Sequence, residues 1–138
     1  MPPRRSPIRR SWPSWNESVT IGRAFAALRA HGLAFPEAEE DFPWGHTALK
    51  VRGKTFAWLD RDEEAGRLGL TVKLPVSRDF ALVFDFAAPA GYGLGRSGWI
   101  SCRFAAGETP DLDLLERWIA ESYRAVAPKQ LAAALADD

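Results

Sequence analysis

One cysteine and two histidines are all the soft or imidazole ligands that this 138-residue chain offers. Cys102 alone cannot close a disulfide within the chain. With only His31 and His46 beside it, it cannot assemble a structural zinc site either. No apolar run approaches the ~18 residues that a membrane span needs. The arginine-rich start gives way to Trp12, Pro13 and Trp15 rather than to the apolar stretch of a signal peptide. A cytoplasmic protein with no membrane partner is expected. Net charge is also missing, since 18 basic side chains meet 18 acidic ones.

That balance hides an asymmetry. Arg4, Arg5, Arg9 and Arg10 crowd the first ten residues, leaving 14 basic against 18 acidic side chains in the remainder. A mildly acidic domain weakens the case for tight, non-specific nucleic-acid binding, because that affinity rests on many neutralised phosphates. Residues 1–16 carry prolines and arginines without periodicity, and read as a disordered basic arm. Trp12 and Trp15 could stack on bases if that arm tracks a nucleic-acid backbone. Residues 17–138, in a chain 46% hydrophobic, suffice for a single domain with a real core.

From Ser18, the positions of Ile21, Phe25 and Leu28 predict an amphipathic helix, closed by Gly32. The acidic run Glu37, Glu39, Glu40 and Asp41 reads as a solvated connector rather than a cation site. Phe42 to Leu59 predicts a β-hairpin with Arg52-Gly53 as its tight turn. Alternation there places Leu49, Val51, Phe56 and Trp58 on one face, with Lys50 and Thr55 on the other. Arg67 to Lys73 follows as a third antiparallel strand, with Leu68, Leu70 and Val72 inward and Arg67, Thr71 and Lys73 outward. Ser77 is placed to cap a short helix containing Phe80 and Phe84. Ala87 to Gly98 is a glycine-rich loop matching G-x-G-x-x-G. A helix precedes it and a strand follows, the reverse of the dinucleotide-binding context. Trp99 to Phe104 puts Ile100, Cys102 and Phe104 inward and Trp99, Ser101 and Arg103 outward. Asp111 to Val126 is the clearest helix, with Thr109 or Asp111 as cap, and a short tail helix follows Pro128.

The words FPWG at 42–45, LKVRGKTFAWL at 49–59, LTVKLP at 70–75, GY at 91–92, Trp99 and SYRAVAPK at 122–129, in that order and spacing, resemble the MmcQ/YjbR family. The resemblance covers about residues 18–135. It implies an α+β, frataxin-like α/β sandwich, with an antiparallel sheet of about four or five strands and helices packed on one face. It also implies DNA binding, a label that rests on similarity to a double-wing domain. The family brings no catalytic residues to carry over. Two features depart from its pattern: the GLGRSG loop is less polar and basic than that of typical members, and the arginine arm is additional.

Function is therefore expected to be non-enzymatic, with DNA as the partner, no metal or cofactor, and a monomer or weak homodimer as the working state. The expected contact surface is the outer sheet face and hairpin tip: Lys50, Arg52, Lys54, Thr55, Arg67, Thr71, Lys73, Arg96 and Arg103, with Ser101 among them. Lys and Arg supply charge-assisted hydrogen bonds to phosphate, and hydroxyls fix register. The alternative is a small-ligand or partner-protein module with an aromatic cleft formed by Trp44, Trp58, Tyr92, Arg96 and Trp99. Catalysis is the weakest reading, resting only on Asp41 near His46, without a nucleophile or third group.

Overall fold

A computed structural model of the chain describes residues 14–62, 64–91 and 93–135, with the side chains of 14–20 and Trp44 outside that description. Ten elements follow in order: α1 (Ser14–Leu33), β1 (Ala38–Asp41), β2 (Thr47–Val51), β3 (Lys54–Asp62), β4 (Arg67–Lys73), α2 (Arg78–Ala81), β5 (Ala87–Pro89), β6 (Trp99–Phe104), α3 (Leu112–Val126) and α4 (Lys129–Ala133). The strands form one antiparallel sheet in the order β1-β2-β3-β4-β6-β5. Helices α1 and α3 pack together on one side of it, burying Ile21, Leu28, Leu115, Ile119 and Tyr123 against Leu49, Leu59, Leu70 and Ile100. This is the α+β sandwich that the resemblance implies, with six strands among the described residues rather than four or five. Among those residues no helix is long and apolar enough to cross a membrane.

The two extra strands are both edges. The acidic connector is β1, where alternation sends Glu40 to Arg29 of α1 (2.5 Å) and Asp41 to the Lys50 ammonium (2.8 Å) on the other side of the sheet. Charged edge strands resist pairing with other chains, and that charge hid the strand from a hydrophobic pattern. β5 comes out of the glycine-rich segment and ends on Pro89, a residue tolerated at an edge because no ladder donor is needed there. At the N-terminus, α1 takes in Ser14 to Asn16, which the sequence assigned to the arm. Residues 1–13 of that arm lie outside the described residues.

Local chemistry accounts for most boundaries. Asp111 caps α3, its carboxylate accepting the Leu114 amide at 3.2 Å, and extended Ala127 before Pro128 ends it. Gly32 lets α1 approach β2, since a Cβ there would lie 2.4 Å from Leu49 Cδ1. In the hairpin turn, Arg52 (φ 51°) and Gly53 (φ 82°) are both left-handed, as a two-residue turn matching strand twist requires. Arg52 is held there by a two-pronged ion pair with Glu37, at 2.7 and 2.8 Å. Ser77, by contrast, makes no side-chain cap to α2. Its hydroxyl donates to Glu121 of α3 at 2.6 Å, tying the β4–α2 connection down.

One feature of β3 overturns the sequence pattern. Leu49 pairs with Ala57 and Lys50 with Thr55, so β3 carries an extra residue, Phe56, at a β-bulge. Phe56 and Ala57 both face the helices and are buried, and the parity reverses after them. Trp58, expected inward with Phe56, therefore lies on the outer face opposite Thr71, half-buried. Leu59 returns to the core, and Arg61 lies over the Phe25 ring of α1 at 4.6 Å.

The bulge also interrupts the β3–β4 ladder. The pair after Ala57–Val72 would join the Phe56 carbonyl to the Lys73 amide. Instead the buried Ser122 hydroxyl of α3 stands between them, donating to Phe56 O (2.5 Å) and accepting from Lys73 N (2.8 Å). Replacing Ser122 by Ala strands both backbone groups in the core. Ser122→Ala is expected to cost about 1–3 kcal/mol, read as a lower urea midpoint with an unchanged m-value.

The ion pairs of Glu37 and Asp41 have a pH signature. Hydrogen bonding to Arg52 holds the Glu37 carboxyl below its ordinary 4.5. Bonding to Lys50, then to the Phe42 amide, holds Asp41 below its ordinary 3.8. Depressed carboxyl values stabilise the fold above the ordinary values, and that contribution is lost as pH falls through the folded ones. Thermal stability should therefore drop as pH is lowered below about 4.5. Glu37→Gln with Asp41→Asn should flatten part of that drop in a melting series.

Candidate functional site on the open sheet face

The helices leave the opposite face of the sheet open. Register arranges that face in rows: Asp60, Gly69 and Arg103 in one, and Trp58, Thr71, Ser101 and Ala88 in the next. Lys73 pairs with Trp99, and Lys50 with Thr55, further towards the hairpin tip. Of the expected nucleic-acid contacts, Lys50, Thr55, Arg67, Thr71, Lys73, Ser101 and Arg103 thus fall on the open side as alternation requires. Arg52 and Lys54 sit at the hairpin turn, and Arg96 lies on a 3-10 turn (Leu94–Ser97) leading into β6.

These residues differ in electrostatic state. Lys50 is bound to Asp41 of β1, and Arg52 to Glu37 just before that strand, so two of the cations are already taken. Lys54, Arg67, Lys73, Arg96 and Arg103 form no ion pair among the described residues. Acids also share the face: Glu39 and Asp41 on edge strand β1, and Asp60 and Asp62 at the far end of β3. The basic side is therefore not continuous. Between those acids, the stretch formed by Thr55, Trp58, Thr71, Lys73, Trp99 and Ser101 carries none.

Of the alternative cleft, Trp58 and Trp99 share the open face, separated by Thr71 and Lys73 of β4. Arg96 is exposed three residues before Trp99. The Trp44 side chain and Tyr92 lie outside the described residues. The glycine motif serves the turn itself: Gly93 and Gly98 are left-handed (φ 80° and 89°), and a Cβ at Gly95 would lie 2.8 Å from Pro89 Cβ.

At the Asp60 end the face dips into a hollow of about 670 Å³ lined by His46, Asp60, Gly69, Thr71, Ser101 and Arg103 among others. His46 Nδ1 donates to Asp60 Oδ1 at 2.5 Å, so the histidine's partner is Asp60 across the β2–β3 ladder and not Asp41. The Thr71 and Ser101 hydroxyls are 3.1 Å apart. Gly69 was the one sequence signal for this hollow, a glycine inside an otherwise alternating strand, which marks a bulge or close approach. Cys102 lies under the floor on the core side. Burial pushes its thiol up to about 12, which leaves no thiolate for chemistry at neutral pH. No group of three or more His, Cys, Asp or Glu among the described residues is placed to hold a metal ion.

An antiparallel sheet with two packed helices on one side and an open polar face on the other defines the class of the domain. The YjbR family model matches residues 33–125, and the chain belongs to that family. Among solved structures, the chain is similar to the crystal structure of Deinococcus radiodurans protein DR2400, which carries the domain DUF419. The TM-score is 0.57 at 23% identity, over 72% of this chain and 75% of that one, a likeness of fold. No curated protein matches the chain.

Proposed function

We propose that this protein is a non-enzymatic nucleic-acid-binding domain, acting in the cytoplasm, that holds a single strand across the acid-free part of its open sheet face. The observation that carries the reading is the juxtaposition there of two half-buried tryptophans, Trp58 and Trp99, with Lys73, a cation that has no acid partner among the described residues and pairs directly with Trp99. Stacking platforms beside an unpaired lysine suit a strand whose bases are free, and each stacked base contributes about 1–3 kcal/mol. Thr55, Thr71 and Ser101 add hydroxyl donors that fix register. A six-stranded sheet face is wider than the helix or two-stranded ribbon that the major groove admits, so duplex is the poorer ligand. The acids on β1 and at the end of β3 confine the strand between them by repulsion.

The test is an anisotropy titration with a labelled single-stranded DNA at two salt concentrations. Binding should be modest and should weaken with salt, by a log–log slope of about −0.7 per phosphate neutralised. Trp58→Ala should weaken it by about 1–3 kcal/mol. Lys73→Glu should weaken it sharply while leaving the circular dichroism spectrum intact. Absence of binding at low salt, or binding indifferent to salt and to these substitutions, contradicts the reading.

A further inference from the structure

The hollow at the other end of the face has a different chemistry from the strand-binding stretch. Its floor is Gly69, flanked in register by Asp60 on β3 and Arg103 on β6. Gly69 is not left-handed, and a Cβ added there would meet only ordinary contacts: Asp60 Cβ at 3.6 Å, and Asp60 Oδ2 and Cys102 O at 3.9 Å. Neither backbone conformation nor crowding requires glycine at this position. What the missing side chain provides is open space above the sheet.

The polar groups around that space are half-used. Asp60 Oδ1 accepts from His46, whereas Oδ2, lying beside the Gly69 floor, receives no hydrogen-bond donor among the described residues. Arg103 is exposed, lines the same hollow, and has neither an ion pair nor a side-chain hydrogen bond among those residues. Thr71 and Ser101 satisfy each other with a single proton, which leaves one hydroxyl proton to give. An acceptor carboxylate thus faces a donor guanidinium across two strand spacings, about 10 Å of backbone separation from which both side chains can reach inward. The volume is that of a small-molecule site.

The charge pattern selects the ligand. A phosphate or simple carboxylate drawn to Arg103 also meets Asp60, Asp62 and Glu108, while a bare amine drawn to Asp60 meets Arg67 and Arg103. A molecule carrying both charges a few bonds apart satisfies both sides at once. We propose that this hollow binds a small zwitterion of free-amino-acid size, its ammonium on Asp60 Oδ2, its carboxylate on Arg103, and its body over Gly69. His46 is a positioning residue that fixes the Asp60 carboxylate. This site adjoins the strand-binding stretch at Thr71 and Ser101 but uses none of the residues whose substitution tests that reading, so the two are tested separately.

The experiment is a ¹⁵N–¹H NMR titration of the full chain with a panel of L-amino acids, and with acetate and methylammonium as single-charge controls. At least one amino acid should produce saturable shifts at the Gly69, Ser101 and Arg103 amides, with each control about tenfold weaker or more. Gly69→Val, which fills the floor with a residue suited to a strand, should remove those shifts while the rest of the spectrum is retained. Arg103→Gln should weaken binding about tenfold, and it keeps the question open to test should Gly69→Val fail to fold. No saturable shift with any amino acid at about 10 mM, equal binding of acetate, or undiminished binding by folded Gly69→Val or by Arg103→Gln would overturn the proposal.

Discussion

The Ser122 hydroxyl donates to the Phe56 carbonyl and accepts from the Lys73 amide, and this relay through a helix side chain replaces the backbone bond that a regular β3–β4 ladder would make. It satisfies the two groups that the bulge leaves unpaired, and it ties α3 to the middle of the sheet. Because the bulge is tolerated, Phe56 can join the aromatic cluster beneath the helices. There Phe35 stacks on Tyr123 at 4.7 Å and Phe56 meets Tyr123 edge-on at 5.2 Å. The Tyr123 hydroxyl in turn donates to Pro36 O at 2.7 Å, which pins the chain entering β1. The same extra residue turns Trp58 out of the core. Core packing on one face and an aromatic platform on the other are thus two results of one insertion.

Electrostatics divide the open face in the same economical way. Edge strand β1 and Glu37 just before it engage Arg29, Lys50 and Arg52, one on the helix side, one on the open face and one at the hairpin turn. These exposed pairs contribute little stability individually. In the proposed reading they matter more, because they remove Lys50 and Arg52 from the free cations and leave Lys73, beside the two tryptophans, as the charge available to an anionic strand. Further along β3, Asp60 and Asp62 change the sign pattern again, and the face passes from a cationic, aromatic stretch to a polar hollow. Net charge near zero conceals both regions.

Much of this was legible in the sequence, and the failures have physical causes. The Arg52-Gly53 turn, the stripe of α3 and the alternation in WISCRF are local signals, and each matches the element found. The family words at 42–59 and 70–75 also lead to the right fold. The bulge was invisible because Thr55-Phe56-Ala57-Trp58 keeps an unbroken apolar alternation, and only the pairing with β2 shows that one residue is extra. Trp58 was misplaced for that reason. β1 and β5 were missed because an edge strand need not be hydrophobic or long. The His46–Asp60 bond joins residues 14 apart, and no spacing rule identifies it before the hairpin is folded.

The central claim is that one bulge turns Trp58 onto a working surface shared with Trp99. It is tested most directly by the indole N–H resonances of the tryptophans in a ¹⁵N–¹H spectrum, followed while single-stranded DNA is added. The account predicts that the Trp58 and Trp99 indole signals move together and saturate at one ligand concentration, while that of Trp118, buried in the core, stays fixed. Static Trp58 and Trp99 signals during a titration in which other resonances report binding would contradict it.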